Sequence, residues 1–559
     1  MLRTTTRSRV WRGLAAGLVG VAASAMVLAG CGGATTGGEP ARGAASTPSG
    51  SGKDARPALA IPDGPTVDLR GPSERLEVPG FDGATQWLNV DRPLKLDDLK
   101  GRVVVVDFWT SCCINCLQTL PTLEKLEATY RGLPVVVVGV HSPKFDEESD
   151  AERLVDIVLD NRIAHPVASD GDMRVWRAWG VEAWPTLLVL DPDGKAVWGS
   201  PGEPDFDELS AVVRTLLREG QDKGTLAAGD FERLRPEKDT SGALRYPGKV
   251  VALASGGMAI ADTGHHRVVV VDKDGKVELI AGTGEPGRKD GSLTEATFTR
   301  PQGIAEALGD LYVADTGNHA LRKIDRRAGT VTTVAGTGEL GGYFRSNALR
   351  PAKEVALRSP WDLAAVDDKL FVALAGSHQI ALFLPKTGEL RLYAGSGQEA
   401  RLDGDLLDAA FAQPSGLAWD GKRGELFVLD SETSSVRAID PAKGKVRTVV
   451  GKDLFVFGDK DGDRETARLQ HPIGLTLTDG ALFVADSYNS KVKRIDPDTG
   501  ATRTLFGGRD DAVIDEPAGL TILGTDLIVA DTNHHRLLRI PKLGTGTPEP
   551  ITLRGVDAK

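Results

Sequence analysis

Six times between residues 247 and 517 the sequence restarts the same phrase. Pro-x-Gly or a variant of it begins at Pro247, Pro301, Pro360, Pro414, Pro472 and Pro517, spaced 54, 59, 54, 58 and 45 residues apart. Each start leads into a short apolar run and then a second, which ends near Ala-Asp at Ala261-Asp262, Ala314-Asp315, Ala485-Asp486 and Ala530-Asp531. The fourth unit has Leu429-Asp430 there, and the third is read as Ala375-Gly376. A third run follows, as in Leu321 to Asp325 and Val492 to Asp496, then a fourth such as Thr330 to Val334. No unit this small buries its own apolar face. Four short strands per unit, repeated six times at a period longer than most solenoids use, predict a β-propeller over 226–559. The 66 glycines suit its many turns. All six units read as four-stranded, so the ring-closing segment is open, with 226–246 a candidate extra strand.

This repeat also accounts for two features that resemble metal sites. His265, His266, His319, His378, His534 and His535 nearly all occupy the turn between second and third strands of successive units, which spreads them around a ring. Asp459, Asp461 and Asp463 resemble part of a calcium loop. Asp290-Gly291, Asp403-Gly404 and Asp461-Gly462, however, each precede a unit's proline by 11 residues, and no glutamate closes a twelve-residue loop. Both read as repeat elements, and no metal or cofactor is expected.

The beginning of the chain reads as a targeting segment. Arg3, Arg7, Arg9 and Arg12 precede an apolar stretch of 15 residues, Gly13 to Val27, shorter than the roughly 20 that a membrane span needs. It ends in Leu28-Ala29-Gly30-Cys31, which resembles a bacterial lipobox and implies a signal peptide over 1–30 and lipidation of Cys31. From Gly32 to about Pro65 large apolar residues are scarce, so 31–72 is expected to be a flexible tether. An extracytoplasmic chain anchored to a bacterial membrane follows. The net charge of −11, more negative once the four arginines are removed, argues against nucleic acid as a partner.

With Cys31 lipidated, three cysteines remain, Cys112, Cys113 and Cys116, all within five residues. No distant pair exists for a structural disulfide, no second Cys pair for zinc, and Leu117 stands where a haem-attachment motif needs histidine. The cluster therefore points to redox chemistry. Val103 to Val106 suits a strand buried on both faces, and Leu120, Leu123, Leu126 and Tyr130 have helical spacing. Cys113 then lies at a helix N-terminus, where unpaired N–H groups and the helix dipole favour thiolate, marking it as the attacking sulfur. Cys116, one turn on, would resolve the mixed disulfide.

The run from Val105 through Asp107, Phe108 and Trp109 to Cys116 is similar to the active-site segment of thioredoxins, and the likeness covers roughly 75–220. It implies a thioredoxin-like α/β domain, placed at 73–222. Asp107 falls on the buried aspartate that manages the resolving cysteine's proton, and Pro121 on the helix-kinking proline. Trp184-Pro185-Thr186 falls on the cis-proline loop, where Pro185 presents backbone to substrate and Trp109 and Trp184 line its path. The phrase Leu96 to Gly101 looks like the exported, membrane-tethered branch. Two departures matter. Ile114-Asn115 replaces Gly-Pro, leaving redox direction open within a family range of roughly −270 to −120 mV. Cys112 stands where most relatives carry tryptophan, as a third redox partner or as packing.

Asp315-Thr-Gly-Asn-His319-Ala-Leu and Asp531-Thr-Asn-His-His535-Arg-Leu resemble NHL repeats, and the likeness spans 243–555. A thioredoxin-like domain followed by six such blades resembles the NHL repeat-containing protein 2 family. The expected function is a thiol:disulfide oxidoreductase acting on protein thiols or disulfides, with the propeller face docking a protein partner. The alternative is a propeller-based binding scaffold whose thioredoxin-like domain is regulatory or vestigial.

Overall fold

The computed structural model describes residues 59–69, 71–234, 242–509 and 513–556. The expected signal peptide, Cys31 and most of the tether lie outside them. Two compact units result. The first comprises 59–110, 118–142 and 164–234; the second comprises 111–117, 143–163 and 242–556. The sequence places 111–117 and 143–163 in the thioredoxin-like domain, yet by contact both group with the propeller.

The first unit is built on a six-stranded sheet: β1 (Gln86–Leu88), β2 (Val103–Trp109), β3 (Val135–His141), β4 (Val167–Ser169), β5 (Thr186–Leu190) and β6 (Ala196–Pro201), in the order β1-β4-β3-β2-β5-β6. Strand β2 runs parallel to β3 and antiparallel to β5. Its valines are buried on both faces because helices cover both. Val104 and Val106 pack with Trp176 and Trp179 of α3 (Arg174–Trp179). Val103 and Val105 pack with Leu123 and Leu126 of α1 (Ile114–Thr129) and with Leu209 to Leu217 of α4 (Phe206–Lys223). Asp205 caps α4 by accepting from the Asp207 and Glu208 amides, and Gly224 ends it at a positive φ of 66°. The expected tether is corrected in its described part. Leu59, Ile61, Val67 and Leu69 pack on the α4 core, and Arg214 donates to the Pro62 carbonyl. Four spaced apolar residues suffice to hold a segment whose average composition reads as disordered.

In the second unit six antiparallel sheets occupy 247–281, 291–335, 350–394, 404–450, 474–507 and 519–550; the second, third and fourth exceed the expected four strands by a two-residue strand each, Gly291–Ser292, Arg350–Pro351 and Gly404–Asp405. First strands contact one another in order, and that of the sixth blade (Gly519–Leu523) contacts that of the first (Pro247–Ala252). Close approach there explains the glycine of the repeat. A Cβ on Gly303 would lie 2.6 Å from the Asp362 Cα, and one on Gly519 2.5 Å from the Gly248 carbonyl. The two units that depart from glycine compensate each other, since Lys249 and Asp362 lie 3.7 Å apart in the buried interior. The described residues of 226–246, namely 226–234 and 242–246, form no strand. Closure instead uses Arg554, whose backbone bonds Gly275 and Val277 of the first blade.

The repeat's polar residues staple one blade to the next. The residue before each first-strand proline (Tyr246, Arg300, Ser359, Gln413, His471, Glu516) has positive φ, and so does one turn residue of each preceding blade (His535, His266, His319, His378, Ser434, Ser490). At every junction the pre-proline N–H donates to that turn side chain. Histidine Nδ1 accepts at Tyr246, Arg300, Ser359 and Gln413, serine Oγ at His471 and Glu516. The acidic turns have an equally local use, because Asp290, Asp403 and Asp461 accept from the backbone and hydroxyl of Thr333, Thr448 and Thr504. In the third blade the register places Ala373-Leu374, not Ala375-Gly376, at the Ala-Asp position, since Leu374 caps the same turn as Asp315 does.

Burial holds the His266, His319 and His378 imidazoles at about 4, below their ordinary 6.5, as neutral acceptors require. Between pH 6.5 and 4 the unfolded chain therefore binds protons that the folded chain refuses, so stability falls on acidification. His319→Ser, copying Ser434, is expected to keep the staple and reduce the loss between pH 7 and pH 4 by about 2 kcal/mol. That lies below the ~3 of a fully buried group, because the ring is partly exposed. Denaturant unfolding at both pH values checks this; an unchanged difference would show that the imidazole is not the sensor.

Candidate active site

The CxxC segment begins where β2 ends. Seven consecutive buried residues carry the chain to Trp109, and α1 starts at Ile114, leaving Cys113 immediately before the first helical turn. Cys113 is half-buried, whereas Cys112 and Cys116 are 3% and 0% exposed. All three are thiols in this structure. The graded exposure makes Cys113 the sulfur a large reactant meets first. Burial, with Glu148 and Glu432 nearby, pushes the Cys112 thiol well above its ordinary range, which suits the packing role.

Glu148, buried in the 3-10 helix Asp146–Ser149 that precedes α2 (Ala151–Asp160), shapes this segment. Its Oε1 accepts from the Ser111 hydroxyl (2.6 Å) and the Cys112 amide (2.8 Å), and its Oε2 from the Lys144 and Phe145 amides at 3.0 and 3.1 Å. Blade turns complete the surroundings. Cys112 packs with Phe145 and Tyr488, Phe145 meets Phe457 edge-on at 4.7 Å, and Arg153 lies 4.0 Å over the Tyr488 ring. Lys144 pairs with the buried Glu432, and against the cost of burial Lys144 and His471 keep that carboxylate ionised.

The pre-proline residues of the blades supply the rest, and their role was not anticipated from sequence. Gln413 donates through Nε2 to the Cys112 carbonyl and accepts through Oε1 from the Ile114 amide, both at 2.8 Å. Tyr246 donates to the Asp156 carbonyl, Arg300 binds Asp160 at 2.6 Å, Glu516 binds Arg153 at 2.9 Å, and His471 packs on Phe145. Five of the six equivalent positions thus grip 111–117 or 143–163. The sequence did carry a signal: at one fixed place in an otherwise regular repeat the residue type changes in every unit.

Within the first unit, Asp107 is fully buried in β2, and neither carboxylate oxygen has a hydrogen-bond partner. Desolvation pushes its carboxyl up to about 8. Such a group is protonated at neutral pH and poised to exchange that proton. Trp184-Pro185 is a cis peptide preceding β5. Trp184 is half-exposed, stacks on Trp176 at 4.3 Å and donates to the Ser142 carbonyl. The Pro185 carbonyl accepts from the Gly202 amide at 2.8 Å. Trp109, expected along the substrate path, is 1% exposed and packs edge-on against His141, because it closes a strand buried on both sides.

Architecture and sequence now converge on one class: an N-terminal thioredoxin-like α/β domain followed by a six-bladed β-propeller. Residues 101–196 match the Thioredoxin-like family and residues 298–324 the NHL repeat. The chain is homologous to NHL repeat-containing protein 2 of Bos taurus, with 41% identity over 470 residues, 78% of this chain and 64% of that protein. It is similar to Protein SUPPRESSOR OF QUENCHING 1, chloroplastic, of Arabidopsis thaliana, with 40% identity over 460 residues, 79% of this chain and 43% of that one. The chain spans less than two thirds of either relative. Thiol-disulfide oxidoreductase ResA of Bacillus anthracis matches 125 residues at 27% identity, 22% of this chain and 69% of that protein. The thioredoxin-like domain is thus related to thiol-disulfide oxidoreductases.

Proposed function

We propose that the chain is an extracytoplasmic thiol:disulfide oxidoreductase, held at a bacterial membrane by lipid on Cys31, whose propeller docks the protein that is oxidised or reduced. The observation that carries this reading is the combination of a half-buried Cys113 at a helix start, a buried Cys116 three residues on, and an unpaired buried Asp107. In the reducing direction the Cys113 thiolate attacks one sulfur of a substrate disulfide, and the substrate's other sulfur leaves and takes a proton. Asp107, protonated at rest, first gives its proton to solvent; its carboxylate then takes the Cys116 proton, the role thioredoxins give that residue, and the Cys116 thiolate attacks the Cys113 sulfur. The Cys113–substrate bond breaks and the released substrate sulfur takes a proton, so the substrate departs as a dithiol two electrons richer and leaves a Cys113–Cys116 disulfide that an external dithiol must reduce. Oxidation of a substrate dithiol is the same sequence reversed.

Cys116→Ser stops the second step, so mixed disulfides through Cys113 are expected to accumulate in cells and to vanish in Cys113→Ser/Cys116→Ser. In the same cells the chain should sediment with membranes, and Cys31→Ser should release it. No trapped partner at any level of expression overturns the oxidoreductase reading. The scaffold reading draws on one observation, that Gln413 holds the peptide groups flanking Cys113. It expects a Cys113→Ser chain to retain every partner of the wild type.

A further inference from the structure

We propose that Gln413 is a positioning residue that caps the attacking cysteine, a regulation of the same site that rests on the dithiol reading above. A carboxamide carries an oxygen acceptor and an NH2 donor group, spaced like the acceptor and donor of a peptide group. Gln413 spends both on the main chain either side of Cys113: Oε1 on the Ile114 N–H and Nε2 on the Cys112 carbonyl, each at 2.8 Å. An incoming peptide strand would use the same pair of groups to lay its disulfide against Cys113. The Ile114 amide is also the first of the helix-start donors that stabilise a thiolate at this position. The cap therefore removes a substrate anchor and an activating donor together.

Its aim is set from two sides. The Gln413 backbone, at φ 61°, is stapled by His378 Nδ1 at 3.0 Å, and its Nε2 lies 3.3 Å from His471 Nε2. Gln413 as a residue is 3% exposed, so water does not compete for these bonds. The cap belongs to the repeat rather than to the thioredoxin-like motif, since Gln413 occupies the pre-proline position that elsewhere carries Tyr246, Arg300, His471 and Glu516. A substrate or partner that engages blade four and turns Gln413 away would expose Cys113 and free its flanking groups in one movement.

The test is the rate at which iodoacetamide alkylates Cys113 in the full chain, with the modified cysteine located by fragment mass. Gln413→Met keeps the length and bulk of the side chain and removes both hydrogen bonds. It is expected to alkylate about tenfold faster than wild type, the order expected for two hydrogen bonds of ordinary net strength. Gln413→Glu keeps the acceptor and loses the donor, and should restore part of the protection. A purely space-filling role predicts wild-type rates for Gln413→Met, and that result overturns the proposal. So does equal acceleration in Gln413→Met and Gln413→Glu, which would report loosening rather than capping. Because alkylation needs no substrate, acceleration without trapped partners would sink the oxidoreductase reading and leave the cap intact. Trapped partners with unaltered alkylation would do the opposite.

Discussion

Asp107→Asn is expected to make the protein more stable at pH 7, by up to about 4 kcal/mol, and slower in its redox cycle. The carboxyl ionises near 3.8 when unfolded and near 8 in the folded interior, where burial alone raises it and no partner offsets the cost. A raised folded value means that the folded chain binds the extra proton between those limits. Stability from this group is therefore complete below about pH 4 and is lost as pH climbs toward 8. At pH 7 most of that loss has accrued, at about 1.4 kcal/mol per unit. Asparagine has nearly the same shape and does not titrate, so its advantage should shrink to nothing by pH 4. Denaturant unfolding of both chains at pH 4 and pH 7 measures the difference. An advantage that does not change with pH would mean the carboxyl is not protonated in the fold. In the redox cycle, loss of the group that accepts the Cys116 proton should slow resolution of the mixed disulfide by about a hundredfold, a typical general-base contribution. A residue kept at such a cost to stability is better explained by chemistry than by packing.

The second large effect is expected at Lys144. This ammonium and the Glu432 carboxylate are both buried, with 7% and 4% of their side chains exposed. Removing one partner strands the other charge. Lys144→Met should destabilise the second unit by about 3–5 kcal/mol, read as a lowered denaturant midpoint for the transition that carries the propeller. Neutralising both, as Lys144→Met/Glu432→Gln, should recover at least half of that loss, because the penalty comes mainly from the uncompensated charge. If the double variant is as unstable as the single one, the pair matters through shape rather than charge. This prediction also tests whether 143–163 is energetically part of the unit that contains the blades.

Much of this molecule is legible one residue at a time. The valines of β2, the apolar face of α1 and the Pro-x-Gly period each report a local periodicity, and the strands and helices fall within a few residues of where those periods put them. The histidine-rich and acidic turns were readable as grammar because they recur at fixed offsets: His535, His266, His319 and His378 each accept a pre-proline N–H, and Asp290, Asp403 and Asp461 each accept from a threonine. Trp109 was misread because motif position says nothing about which strand end is covered. Residues 59–69 were misread because composition averages over the few side chains that pack.

What order along the chain carried was the chemistry: two cysteines at a helix start, an aspartate in the strand before them, and six blades behind. Those follow from local spacing and from the covalent reach of a helical turn. Folding alone could reveal what surrounds Cys113, since Gln413 lies 299 residues from Ile114 in sequence. No local pattern encodes a hydrogen bond between such distant positions. It exists because a repeat that must close into a ring brings its pre-proline residues together, and five of the six meet 111–117 or 143–163.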